Sequence, residues 1–586
     1  MPSQQASPSG QDRAGLIYGI ATVVIVALCA LATLPFAETG MTDDFSYVHT
    51  AKIFAETGHI VYNGWATAML GWQILPAALF IKLFGYSYTV VRLSTLICAA
   101  MPLAFFMQRS FVRSGITHRN ATIATLTVLI SPVSMPTITS FLSDCWGVFA
   151  IVLCYDACLR ALQSKEQRRA LAWLCFAALS NAVFGSVRQI AWLGVLVMVP
   201  SALWILRQRR RKIAPAVVSC LIGWLFVFAC LRWFAHQPYS VALGLKHAGM
   251  FKSAHPPHIL LRPLFEIPML LLPIAILFLP QTWRNGRKLR GYLALFCCGL
   301  IAIAIALQHR HELVNWGIPF VIQHGSVFSR YGGYAQWPVR GQLPQIMPDP
   351  LRIAVSGLTL LCVFAIACTG CKKTPPEAPQ PSPISRRDLA MLTGPFTICY
   401  GILLLPRGLI DQTIDRYVLA LVWVAALWLT LCYQAKIQRQ FSNWAIAFLA
   451  VVAVFTVADV HDSFALYRGV KASTDEAIAS GYSRVNIDGG WEYNAETQIL
   501  VGRYIHQTNA NVPEGFTYGA ISHLVCPERM STWNASVFPK VTLSFDPNAC
   551  GGPTGLTPVT IHRWLPPHQI AIYVVKDPEA PIAINR

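Results

Sequence analysis

MTDDFSYVHTAKIFAETGHIVYNGW, residues 41–65, is the stretch on which the reading of this chain turns. It begins a few residues after the first long apolar run, 14–36, so the adjacent carboxylates Asp43 and Asp44 stand at the mouth of a membrane helix, on its water side. A carboxylate just beyond the hydrocarbon is partly desolvated, and it can take a proton from an acceptor hydroxyl as a general base. A structural reading stands beside that one. Thr42 or Asp43 can be a plain N-cap, and an Asp in a first helical turn complements the dipole.

Outward from this stretch the composition is that of a polytopic membrane protein. Mean hydropathy is +0.48 and only 12% of the 586 residues are charged, against about 25% in soluble domains. The formal charge of +19 does not point to nucleic acid, because most Lys and Arg fall in short loops between apolar runs. The 17 cysteines lie mostly inside apolar runs, among them Cys154, Cys158, Cys175, Cys297 and Cys298, where they read as small packing residues. Cys526 and Cys550 lie in a late polar region and are candidates for a disulfide if that region is extracytoplasmic. The N-terminal run lacks a cleavage site and reads as a retained first helix.

About 20 apolar residues cross a hydrocarbon core of about 30 Å. Runs of that kind fall at 14–36, 88–107, 121–138, 141–160, 170–186, 190–206, 214–235, 259–280, 291–307, 351–371, 389–405, 415–433 and 443–459. The stretch 170–206 suits two crossings or one broken helix. With the N-terminus in the cytoplasm, alternate loops carry Arg109, Arg113 and Arg119; Arg160, Lys165, Arg168 and Arg169; RQRRRK from Arg207; RNGRKLR from Arg284; Lys372, Lys373, Arg386 and Arg387; and Lys436 and Arg439. All are basic and all fall on one side, which sets the orientation. The Pro-rich KKTPPEAPQPSPISRRD from Lys372 reads as a cytoplasmic linker.

The other loops are longer and rich in His, aromatics, Gly and Pro. In the first of them, 37–87, residues 67–84 are apolar but short and interrupted by Gln73, Pro76 and Lys82, which predicts a helix lying on the membrane surface. Past residue 460 polar residues rise. SRVNIDGG, PVTIHRW and HQIAIYVVKD predict strands and ETQILVGRYIHQ a helix. The expectation is a mainly α, polytopic bundle over 1–460 with a small extracytoplasmic α+β domain over 461–586.

The order of first helix, acidic pair, juxtamembrane helices and a helix opening with VRLSTL resembles the C-type membrane glycosyltransferases, in the branch of the protein O-mannosyltransferases and lipid A aminoarabinose transferases. Three further phrases carry the resemblance: FLSDCWGVFAIVLCYDACLRAL from Phe141, SVRQIAW from Ser186 and IDQTIDRYVLAL from Ile410. The family's acidic pair is usually Asp then Glu, so Asp44 departs conservatively. The resemblance implies a polyprenyl-phosphate-linked sugar donor and a lipid, glycan or protein acceptor. It implies Asp43 as base with Asp44 supporting it or facing a metal, or the reverse. Asp144 falls at the same face, so that the three carboxylates suit a shared divalent cation, Mg or Mn, with a plain helix cap as the structural alternative for Asp144. The resemblance further implies that Arg416 binds the donor phosphate, with Arg407 assisting and Tyr417 beside it as a substrate-binding residue; a solvated helix-end charge is the structural alternative for Arg416. Arg188 and Gln189 stand at the same membrane face, where an Arg near hydrocarbon faces a cavity or a partner. The location implied is a bacterial inner membrane with the site on the periplasmic side.

The alternative is a flippase or transporter of lipid-linked glycans, which requires ionisable groups near the bilayer midplane. Asp156 is the strongest of the few present. Weaker features are His309, His311 and Glu312, then His247, His255 and His258; Trp491 and Glu492 in IDGGWEYNA; and a glycosylation sequon at Asn534.

Overall fold

The computed structural model describes residues 8–207, 213–241, 266–284, 339–341, 346–370, 384–410, 415–505, 510–513 and 536–577. Among them nine helices are long and apolar enough to cross a membrane. They match nine of the expected runs, including 170–206, which forms two crossings, Gln167–Val187 and Gln189–Arg207. The run 121–138 does not form one crossing. Its helix, His118–Leu129, stops before Ser131 and Pro132, and a short helix, Ser134–Thr139, follows. Proline removes a backbone donor and restricts the residue before it, so the chain turns there. The run 389–405 lies inside the helix Arg386–Ile410, and 259–280 is seen from residue 266 as short helical pieces. The run 291–307 lies outside the described residues.

Ser143–Gln163 is the axis of the bundle. Nineteen of its 21 residues are buried. Each end of this helix carries one buried carboxylate, and each is answered by arginine. Near one end Asp156 is bound by Arg113 and by Arg160, the latter at 2.7 Å. This is the end of the basic loops. Gln163 donates to the Arg113 carbonyl (2.9 Å), the Thr117 amide to Gln434 (3.0 Å), and Asn120 to the Arg439 carbonyl (3.1 Å). Lys436 reaches the Thr369 carbonyl at 3.3 Å. Four of the loops grouped by charge in the sequence thus meet at one end of the fold. Asp156 is held there by two arginines.

At the opposite end the first loop packs over the helix ends. The helix Asp44–Thr57 is followed by the helix Ile74–Phe84, whose 11 residues span about 16 Å, too short to cross. Ile74, Ala77, Ala78 and Ile81 are buried while Leu75, Leu79, Leu83 and Phe84 are exposed. That apolar outer face agrees with a helix lying in the membrane interface.

The boundary drawn at residue 460 falls inside a single helix. Asn443–Ala479 runs unbroken for 37 residues, about 55 Å, nearly twice the hydrocarbon thickness. Its first half exposes Trp444, Val451 and Val454, whereas Val460, Phe464, Leu466 and Val470 are buried. The far half is the first element of the C-terminal domain. It carries a four-stranded sheet of β1 (Ile487–Asp488), β2 (Val541–Ser544), β3 (Val559–His562) and β4 (Gln569–Lys576), in the order β1-β2-β4-β3. β1 and β2 are parallel and the other pairs antiparallel. Gly469 faces Ile561 so closely that a Cβ would lie 2.6 Å from it, which lets the helix sit down on the sheet. The domain is tied to the first loop at Gly64 (φ 82°), where a Cβ would meet the Ile505 carbonyl at 2.6 Å. The Ile505 amide donates to the Asn63 carbonyl at 2.8 Å. Cys550 is disulfide-bonded, and Cys526, the expected partner, lies outside the described residues.

Candidate active site

The acidic pair divides its labour. Asp44 is fully buried, and Arg92, the arginine of VRLSTL, closes on it with Nε to Oδ2 at 2.8 Å and Nη2 to Oδ1 at 3.3 Å. The rest of that guanidinium donates to the carbonyls of Ala37 (2.6 Å) and Thr39 (2.7 Å). Asp44 also accepts the Met41 amide at 2.6 Å. One buried ion pair therefore folds residues 37–44 around a single arginine. Asp44 is an internal strut and is not among the residues that line the cavity on which Asp43 opens.

Asp43 faces the other way. Its Oδ1 accepts the Trp65 indole N–H at 3.0 Å and its Oδ2 pairs with Arg416. Asp43 lines a cavity of about 560 Å3 with Tyr47, Thr67, Ser143, Asp144, Arg188, Gln189, Tyr400, Arg416 and Tyr417. All the other site residues expected from sequence, except Arg407 and Asp44, are on that wall. The Arg407 side chain lies outside the described residues.

Each of these groups is placed by local structure. Asp144 enters from the first turn of the buried axial helix. Arg188 occupies the turn between two crossings, extended at φ −149°. That turn is tightened by Trp192, whose indole donates to the Ala182 carbonyl at 2.8 Å, and by Asn181, which bonds the Ala150 and Ala191 carbonyls. Arg416 lies in the 3-10 turn Asp415–Val418 that opens the next crossing. Tyr400 secures that turn by donating to the Tyr417 carbonyl at 2.8 Å. Gln189 donates to the Thr67 carbonyl at 3.1 Å, joining the turn to the first loop.

The charges interlock. Arg188 pairs with Asp144, and Arg416 bridges Asp43 and the second oxygen of Asp144, the latter at 3.5 Å. Arg188 also lies over the Tyr417 ring at 4.7 Å. Burial alone would lower the Arg188 guanidinium, but the Asp144 carboxylate with Tyr417 and Tyr400 outweighs it and holds the group above its usual range. Burial pushes the Tyr47 phenol well up, so it remains a neutral hydroxyl on the cavity wall.

The cation expected between Asp44 and Asp144 does not fit this donor set. Asp44 is occupied by Arg92, and two guanidiniums already hold Asp144 where a cation would bind. Among the described residues no group of three or more His, Cys, Asp or Glu gathers for a metal. His309, His311, Glu312, His247, His255, His258 and Asn534 lie outside the described residues.

Sequence reading missed four residues that build the site. Tyr47 stands one helical turn after Asp43, a spacing that puts both on one face. Arg92 stood in a phrase used only as a mark of resemblance. Trp65 and Tyr400 left no signal, since their roles depend on long-range contacts with Asp43 and Tyr417.

The fold and site define a polytopic helical membrane bundle with a buried cluster of carboxylates and guanidiniums at one end and a small α+β domain above it. No family model and no curated protein matches the sequence. The chain is similar to the solved structures of ArnT from Cupriavidus metallidurans. The form bound to undecaprenyl phosphate gives 13% identity and a TM-score of 0.40, over 83% of this chain and 84% of that one. The apo form gives 14% identity and a TM-score of 0.39 over the same shares.

Proposed function

We propose that the chain is a membrane glycosyltransferase that moves a sugar from a polyprenyl-phosphate donor to an acceptor hydroxyl with inversion, Asp43 being the general base. One observation carries this reading. Asp43, Asp144 and two arginines line a single cavity that also has an apolar stretch of wall, formed by Ile190, Leu231, Phe234, Leu403 and Leu404. Such a wall suits a ligand with an anionic head and a hydrocarbon tail.

Leu231 and Phe234 end the helix Ala214–Ala235, and Leu403 and Leu404 belong to Arg386–Ile410. Elsewhere both helices carry exposed apolar faces: Leu225, Phe228, Ile398 and Ile402. Both helices flank the cavity, and the sideways entrance for a prenyl chain is proposed to lie between them. The donor phosphate takes the planar fork of Arg416 with Arg188 beside it. Phosphate binding draws Arg416 from Asp43, leaving the carboxylate held by Trp65 alone and turned to the cavity.

An acceptor oxygen then attacks the anomeric carbon from the face opposite the phosphate. The C–O bond to phosphate breaks, its electron pair leaves on polyprenyl phosphate, and the acceptor proton passes to Asp43. A base and a leaving group on opposite faces invert the centre, as in inverting glycosidases. The leaving phosphate needs little protonation, so one carboxylate suffices. The basic loops gathered at the other end support placing this site on the extracytoplasmic side.

The test is mass spectrometry of envelope lipids and glycans from cells with the chain, without it, and with Arg416→Ala. A glycan present only with the active chain is expected. Identical profiles in all three, with label moved across proteoliposomes and no new glycosidic bond, would establish translocation in place of transfer.

A further inference from the structure

Behind Asp43 stands the C-terminal domain, and it touches the surroundings of that residue from two directions, at Trp65 and at Thr42. Gly490 (φ 89°) turns the chain into the helix Trp491–Gly502, so that Trp491 and Glu492 form its first turn. The Trp491 ring packs on Trp65 at 4.9 Å between centroids and edge-on against Phe45 at 6.3 Å. Trp65 is the residue that donates to Asp43 Oδ1. Glu492 reaches the backbone on the other side, where its Oε1 accepts the Thr42 amide at 3.3 Å and the Tyr467 hydroxyl at 2.6 Å.

Thr42 is left-handed, φ 53°, a conformation that β-branched residues avoid. Such strain persists only where surrounding structure fixes it, and it gathers at functional positions. Thr42 directly precedes Asp43. Glu492 is 4% exposed, and its second oxygen, Oε2, is buried with no hydrogen-bond partner among the described residues.

We infer that Glu492 is a positioning residue of the proposed transferase: it holds the strained Thr42 amide from the C-terminal domain and, with Trp491, sets the direction in which Asp43 faces the cavity. This rests on the reading of Asp43 as base. It gives the C-terminal domain a part in catalysis without contact to the reacting atoms.

The groups facing Glu492 are Tyr467 on the long helix and Asp44 below it, whose charge Arg92 holds. Glu496, one turn along the same helix, is engaged by Arg484 and Tyr88. Burial raises the Glu492 carboxyl, the Tyr467 and Thr42 donors lower it in part, Asp44 raises it again, and it stands at about 7. The docked arrangement therefore prefers the protonated acid. Docking is strongest below the ordinary carboxyl value of about 4.5, weakens as pH rises, and loses this contribution above about 7. The buried anion then has no cation opposite it among the described residues.

The test uses the full chain in nanodiscs, with hydrogen exchange over residues 40–46 corrected for intrinsic rates, at pH 5.5 to 8.5. In the wild type, protection should fall about 30-fold across that range. Glu492→Gln, which keeps the acceptor and cannot ionise, should be protected throughout, and Glu492→Ala should be unprotected throughout. Transfer should follow, with the alkaline fall of kcat absent in Glu492→Gln and donor KM unchanged. Protection independent of pH in the wild type and retained in Glu492→Ala would overturn the inference. Asp43→Asn separates the two claims: full activity there refutes the base while leaving the exchange result on Glu492 readable.

Discussion

Replacing Asp44 by Asn should unfold the first loop rather than stop chemistry alone. The guanidinium of Arg92 is 2% exposed and Asp44 is 0% exposed. Asparagine retains an acceptor for the Met41 amide, but its NH2 group meets the Arg92 N–H groups and leaves a buried cation uncompensated. Breaking a buried pair in this way costs about 3–5 kcal/mol. Arg92→Met should cost about as much, and it also leaves the Ala37 and Thr39 carbonyls without their donors, at about 1–3 kcal/mol each when buried. The double variant Asp44→Leu with Arg92→Met should lose less than the sum of the singles, with a coupling of at least about 2 kcal/mol. The assay is thermal unfolding in nanodiscs, read by a thiol dye reaching Cys145, Cys154 and Cys158, all buried on the axial helix. If Asp44→Asn unfolds at the wild-type temperature yet abolishes transfer, Asp44 acts on substrate and the assignment of Asp43 as base is wrong.

Arg416→Lys keeps charge and loses the planar fork, so donor KM should rise by about tenfold, and Arg416→Ala by about 10- to 100-fold, as expected for charged hydrogen bonds of about 1.5–3 kcal/mol. Titration of undecaprenyl phosphate into each variant checks this. Trp65→Phe removes the neutral donor to Asp43 and should lower kcat by about tenfold or more with donor binding unchanged, measured by steady-state transfer. Gly64→Ala places a Cβ against the Ile505 carbonyl at φ 82°. It should loosen the C-terminal domain by more than about 1 kcal/mol, seen as faster limited proteolysis near residue 505 and intact axial-helix protection.

Much of the fold was legible because a membrane imposes its own grammar. Apolar runs of about 20 residues mark crossings, and the basic loops that the sequence grouped by sign are the ones that meet through Arg113, Gln163, Gln434 and Lys436. The failures fall where hydropathy is silent. Pro132 divided a run that composition joined, and the long helix carried its turns past residue 460 with changed partners rather than changed backbone. Short strands such as β2, buried on both faces, had no alternation to betray them. At the site, residue types near crossing ends located Asp43, Asp144, Arg188 and Arg416. The distinct jobs of Asp43 and Asp44 were invisible, because they are set by Arg92 and Arg416, 48 and 373 residues away.

The most direct measurement pairs binding and turnover in Asp43→Asn. With no carboxylate to hold, Arg416 is more available, so undecaprenyl phosphate should bind at least as tightly as to the wild type. Transfer from a polyprenyl-phosphate sugar should fall by about 100-fold or more, the loss expected on removing a general base. Wild-type turnover in Asp43→Asn, with carrier binding intact, would contradict the account.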